Sequence, residues 1–143
     1  RLAAALVRAE GKPGTRLRER WTLPWELGES DEPLRDAAER AAADVAGVAP
    51  QFVEQVGAFG DGRRHPGRTA LSVAFVGLVP AGAVLPADSG AEFFPVDELP
   101  ALAPRQRTMI DEAVTHVRAR VGQAPVPFRL LPAVFTLSEL QEL

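Results

Sequence analysis

LPWELGESDEPLRDAAERAAADVAGV, residues 23–48, places a loop punctuated by proline and glycine directly before an amphipathic helix. Ser30 or Asp31 can cap that helix, and Pro33 is tolerated in its first turn because an amide there has no intrahelical partner to lose. Leu34, Ala37, Ala38, Ala41, Ala42 and Val45 recur at helical spacing and make one apolar stripe. Gly47 supplies a left-handed C-terminal cap, so a helix is expected over 31–46.

On the N-terminal side, LAAALVRAE (2–10) reads as a strand and GKPGTRLRER (11–20) as a loop. On the C-terminal side, QFVEQVGAFG (51–60) and TALSVAFVGLVP (69–80) read as strands joined by the polar turn DGRRHPGR, residues 61–68. AEFFPVDELPALAPRQR (91–107) follows a link rich in Gly, Pro and Ala. A second helix is expected over 106–121, where Met109, Ile110, Ala113, Val114, Val117 and Val121 share a face. Arg118 and Arg120 suit its C-terminal dipole, Gly122 ends it, and His116 falls on its surface. Beyond a linker bracketed by Pro125 and Pro132, Thr136 with Glu139 has the spacing of a capping box, which predicts a third helix with Leu137 and Leu140 on its apolar side.

A chain of 143 residues, 46% hydrophobic and 24% charged, suits one globular core. Zero cysteines exclude disulfides and Cys-based zinc sites, which fits a cytoplasmic protein. No apolar run approaches the roughly twenty residues that cross a bilayer, so no membrane partner is expected. The net charge of −3 argues against a general electrostatic grip on nucleic acid. Lys12 is the only lysine, and the abundance of Arg, Ala and Pro fits a GC-rich coding bias. His65 has no Cys or second His close by in sequence, so it is not read as a metal ligand.

The opening segment resembles the Nudix box, G-x5-E-x7-R-E-U-x-E-E-x-G-U, usually introduced by Leu-Pro-Gly-Gly. Leu23 and Pro24 set the frame, in which Glu32 falls on the first Glu, Arg40 on the Arg, Gly47 on the last Gly and Val48 on the final apolar position. Trp25 and Glu26 stand where the family has two glycines, while Ala41 and Val45 replace two of three metal-binding glutamates. Asp44 alone keeps a carboxylate there. Positions 41, 44 and 45 project from one helical face, so the resemblance implies a cation site now reduced to one acid, with Asp44 holding magnesium weakly if at all. Catalysis needs more, since the ion must neutralise pyrophosphate charge while a base or second ion activates water.

GAFGDGRRHPGRTALSVAF (57–75) and FFPVDELP (93–100) are similar to further Nudix stretches. The regulator branch of that family continues with Ala-Phe-Asp-His, where this chain has Ala103, Pro104, Arg105 and Gln106, so a proton-transfer histidine is missing as well. LLPAVFTLSELQ (130–141) resembles the entry to the winged-helix domain of Nudix-related transcriptional regulators of NAD metabolism. The resemblance therefore implies an α/β/α Nudix sandwich with a mixed curved sheet over 1–124, its first strand missing. It also implies a linker and the start of a truncated winged-helix domain over 125–143.

Three functions fit this reading. The first is a catalytically degenerate sensor or dimerisation domain of a transcriptional regulator, with ADP-ribose or a related nucleotide as ligand, Arg8, Arg20, Arg63, Arg64 and Arg68 as anion-binding candidates, and a homodimer as the assembly. DNA would be bound only through a C-terminal domain absent from this chain. The second is an active magnesium-dependent hydrolase of ADP-ribose or another nucleoside diphosphate linked to X, with Glu29 or Asp36 helping Glu32 and Asp44 to rebuild the site. The third is an interaction module without a nucleotide, because Trp25 adds bulk and Glu26 repulsion where glycines would admit a pyrophosphate. No cofactor is expected, and magnesium enters only with residual hydrolysis.

Overall fold

The computed structural model describes residues 2–8, 21–60, 71–80, 83–123 and 133–140, with side chains described as far as Arg120. The loop expected over 11–20, the turn 61–68 and the linker after residue 123 lie outside the described residues, and with them Arg20, Arg63, Arg64, His65 and Arg68. The chain is mixed α/β. In order it forms β1 (Ala3–Arg8), β2 (Trp21–Thr22), β3 (Trp25–Leu27), α1 (Leu34–Ala46), β4 (Gln51–Phe59), β5 (Leu71–Leu78), β6 (Ala91–Pro95), α2 (Pro104–Gln123) and β7 (Ala133–Leu140).

The strands join in one seven-stranded sheet whose spine runs β2-β1-β7-β5-β4, with β6 on β1 and β3 on β7. Strand alternation assigns its two faces. Ala4 and Leu6 of β1 and Ala74, Val76 and Leu78 of β5 pack with Met109, Ile110, Ala113, Val114 and Val117 of α2. The intervening Ala5, Val73 and Phe75 meet the other helix, beside Ala38, Ala42 and Ala46 of α1. The helices thus cover opposite faces. Leu6, Met109 and Ile110 are almost wholly shut off from solvent, each worth roughly 1.5–3 kcal/mol of burial.

A gap in the sheet positions the box segment. β1 gives one edge to β6, while its other edge meets β7 at Ala4 and then β2 at Val7 and Arg8. β7 likewise meets β1 at Ala133 and then β3 at Leu137–Glu139. The two strands part after Ala4 and Ala133, and residues 21–27 enter between them, bonded to β1 by their first half and to β7 by their second. Sequence periodicity had no means of showing β2 and β3, which are two and three residues long and owe their form to these partners.

Several expectations need correction. The first helix begins at Leu34, with Pro33 in the cap position at ψ 137° and no side-chain cap bond, so neither Ser30 nor Asp31 serves. Proline disfavours helical geometry in the residue before it, which moves the start to this side of Glu32. Gly47 does close the helix, at φ 74° with its N–H on the Ala43 carbonyl at 2.8 Å. The second helix starts at Pro104 and runs through Gly122 to Gln123, so Gly122 does not end it. The helix expected from Thr136 is instead strand β7, paired antiparallel with β5 along Ala133–Leu140. A two-turn helix is too short to hold itself together, whereas the β-branched and aromatic residues in Ala-Val-Phe-Thr-Leu each pair with a residue of β5 here.

Candidate functional site

Arg40 organises the segment that resembles a Nudix box. From the middle of α1 its Nε donates to Glu26 Oε1 of β3 at 3.0 Å, and its two Nη atoms engage both oxygens of Glu32, Nη2 at 3.1 Å. The loop turns back to permit this, since the Glu29 N–H also reaches Glu32 Oε1 at 3.4 Å. Hydrogen bonding from Arg40 holds the Glu32 carboxyl below its usual range despite some desolvation, and Glu32 followed by Glu26 raises the Arg40 guanidinium. A bidentate guanidinium–carboxylate joint is directional as well as charged, so it fixes the angle between loop and helix.

Beside this joint lies a cleft of about 230 Å³ lined by Val7, Pro24, Trp25, Glu26, Ala41, Asp44 and Val45. The structure therefore brings together six positions that the resemblance singled out, Pro24, Trp25, Glu26, Ala41, Asp44 and Val45. Ala41 is buried and Val45 packs partly against the Ala5, Ala42, Ala46 and Val79 cluster, so the methyls at those positions serve the core. Asp44 stands exposed at the rim. Glu29 and Asp36 do not line the cleft, and no group of three potential metal-binding side chains occurs among the described residues. Glu26 Oε2 is closed to solvent and has no hydrogen-bond partner among the described residues.

Arg8 is not brought to this cleft. Val7 lines it, and the next residue of a strand points to the opposite face. There the Arg8 guanidinium lies 5.1 Å from the Trp21 ring centroid, and Trp21 meets Phe94 edge-on at 4.9 Å.

Gln106, where the resemblance has a histidine, takes a role that sequence reading did not assign. It is 2% exposed, accepts the Leu23 N–H through Oε1 at 3.0 Å and donates through Nε2 to Thr22 Oγ1 at 2.7 Å. These bonds fasten the start of α2 to the loop that leads into the cleft. The signal was present, because Gln106 shares the helical register of Met109, Ile110 and Ala113. The neighbouring Arg105 is also buried and donates to Ser72 Oγ at 3.4 Å.

His116 is no plain surface residue. Its Nε2 lies 2.5 Å from Glu54 Oε2 on β4, and Arg120 donates to both oxygens of the same carboxylate at 3.0 and 2.6 Å. This triad borders a groove of about 680 Å³ that also includes Leu34, Arg35 and Phe75. None of the described helices is long and apolar enough to cross a membrane. No family profile and no curated protein matches the chain.

Proposed function

We propose that the chain is a catalytically degenerate Nudix-like domain that serves as a sensor or dimerisation module rather than as a hydrolase. One observation carries this reading: the Arg40–Glu32 joint that orients the box is present, while the helix face beside it offers Ala41 and Val45 where a metal–pyrophosphate site needs carboxylates. The scaffold has been kept and the reactive groups have not. Magnesium chemistry at Asp44 would have one rim carboxylate and the neighbouring Glu26 to work with, and Glu26 is already engaged by Arg40.

The regulator setting, the NAD-related ligand and the Nudix sandwich itself rest on the sequence resemblance. The interaction-module version gains support from size, because about 230 Å³ is below the usual range for drug-sized ligands and a dinucleotide is larger still. The test is an assay of the purified chain with ADP-ribose, NADH and dinucleoside polyphosphates in magnesium or manganese. No release of AMP or ribose phosphate above a blank is expected. Turnover abolished by Asp44→Ala would overturn the proposal.

A further inference from the structure

The groove of about 680 Å³ runs beside β4, and its lining fixes where it lies. Val53, Glu54 and Gln55 all border it, although successive residues of a strand point to opposite faces of the sheet. Val53 turns to the α1 side, where it packs with Ala38, Val73 and Phe75, and Glu54 turns to the α2 side, where His116 and Arg120 hold it. Leu34 and Arg35 of the one helix and His116 and Arg120 of the other complete the walls. A space touched by three consecutive strand residues and by helices on both faces straddles the edge of the sheet. β4 is the last strand of the spine and, among the described strands, pairs with β5 alone. The groove therefore follows an outer edge that no described strand covers.

We propose that the outer edge of β4 takes up a short acidic peptide in extended form, as an added strand whose carboxylates meet Arg35 on the α1 side and Arg120 on the α2 side. The proposal rests on the interaction-module version of the function and gives it a partner. In strand addition, main-chain hydrogen bonds supply affinity and side chains that alternate between the two faces supply selectivity. Here each face presents a guanidinium. Arg120 gives Nε and Nη2 to Glu54 and keeps further N–H groups for a second acceptor. Arg35 gives Nε to Glu39, in a pair whose side chains are 61% and 44% exposed and which is worth little in water. Glu39 does not line the groove, so two arginines there face one acid, Glu54, in a chain whose net charge is −3. That local sign selects an acidic partner. A second copy of β4 fits less well, since the one acid it would bring is Glu54, already taken by its own Arg120. Register shifts at Gln51/Val53 and Gln55/Gly57 confine the regular edge to Val53–Gln55, which suits a peptide of a few residues rather than a long strand.

The test is an amide NMR titration of the isotopically labelled chain with the blocked peptide Thr-Val-Asp-Glu-Val-Thr. Saturable shifts centred on the amides of Val53–Gln55 are expected. The isosteric Thr-Val-Asn-Gln-Val-Thr should bind about threefold more weakly or worse, and Arg35→Gln should weaken the acidic peptide to a similar degree, as for loss of an exposed ion pair. The acidic peptide N-methylated at each residue cannot donate to a strand and should bind at least about tenfold more weakly. No shifts, shifts only at other sites, or equal binding of the neutral or the methylated peptide would overturn the inference. So would sedimentation showing that the chain pairs with itself through this edge and excludes the peptide. The peptide comparison stands even if Arg35→Gln does not fold. Turnover of ADP-ribose in the separate assay counts against the non-catalytic reading, whereas absent peptide binding counts against this inference alone.

Discussion

Gln106 and Thr22 stand 84 residues apart in sequence and are joined by a buried hydrogen bond of 2.7 Å. The same glutamine accepts the Leu23 N–H, so one side chain satisfies two groups that have left water. Gln106→Leu keeps the bulk and removes both bonds. Leaving buried partners unsatisfied costs about 1–3 kcal/mol each, so a total loss of about 2–6 kcal/mol is expected. Urea unfolding should show a lower midpoint at unchanged slope. A midpoint equal to that of the parent chain would mean that water replaces the glutamine without cost.

The Glu54 triad makes stability depend on acid. Arg120 hydrogen bonding, opposed by desolvation and assisted by His116, lowers the Glu54 pKa in the folded chain relative to its ordinary value of 4.5. A carboxyl whose folded pKa is depressed adds stability that is fully present above its unfolded pKa. That stability is lost as pH falls through the folded value. Melting temperature should therefore drop below about pH 4.5, and Glu54→Gln should flatten part of that drop. Some slope will persist, because Arg40 lowers Glu32 in the same direction. An identical acid limb in the Gln variant would show that the triad contributes nothing to the linkage.

Returning the box carboxylates should separate metal binding from folding. Ala41→Glu, Asp44→Glu and Val45→Glu together restore three acids on one helical face and are expected to bind manganese detectably by calorimetry. They should also destabilise the chain, since Ala41 is 6% exposed and Val45 packs partly into the core. Full hydrolysis is not expected while Trp25 and Glu26 occupy the loop. Manganese affinity no better than that of the parent would show that the helix face does not point its side chains into a common site.

At Gly47 the backbone has φ 74°, and a Cβ added there would come within 2.9 Å of Pro86 Cγ. Gly47→Ala is expected to cost about 1–2 kcal/mol from the left-handed conformation alone, with the contact adding to it. Combining it with Pro86→Ala should recover only the contact part. Full recovery in the double variant would place the whole penalty in the contact and none in the backbone.

Strand β7 can be examined by amide hydrogen exchange. Paired with β5 on one edge and with β1 and β3 on the other, Ala133–Leu140 should exchange about as slowly as Leu71–Leu78. Exchange at the rate of an unstructured peptide would mean that the segment does not stay in the sheet.

The sequence was most informative where local periodicity and local chemistry coincide. The alanine stripe and Gly47 gave α1 and its end, and the apolar runs gave β1, β4 and β5 to within a few residues. Arg40 and Glu32 were marked by the resemblance, and in the fold they meet. What stayed hidden depends on partners distant in sequence. Thr136–Glu139 carries a helix signal that pairing with β5 overrides, and Trp21–Leu27 becomes strand only because a gap between β1 and β7 receives it. Glu26 looked like a defect in a glycine loop, and its bond to Arg40 becomes visible only once loop and helix are folded together. The arginine turn over 61–68 lies outside the described residues, so its part in anion binding remains an expectation of the resemblance.

Helix α2 is fastened twice, by Gln106 to the cleft loop and by His116 and Arg120 to the edge strand β4. Fourteen residues separate the outer fastenings, a span of about 21 Å at 1.5 Å per residue. A rod pinned at both ends can neither roll about its axis nor slide along it without giving up one of the pins. The helix is therefore a strut, and the loop at one end and the sheet edge at the other share a single mechanical frame.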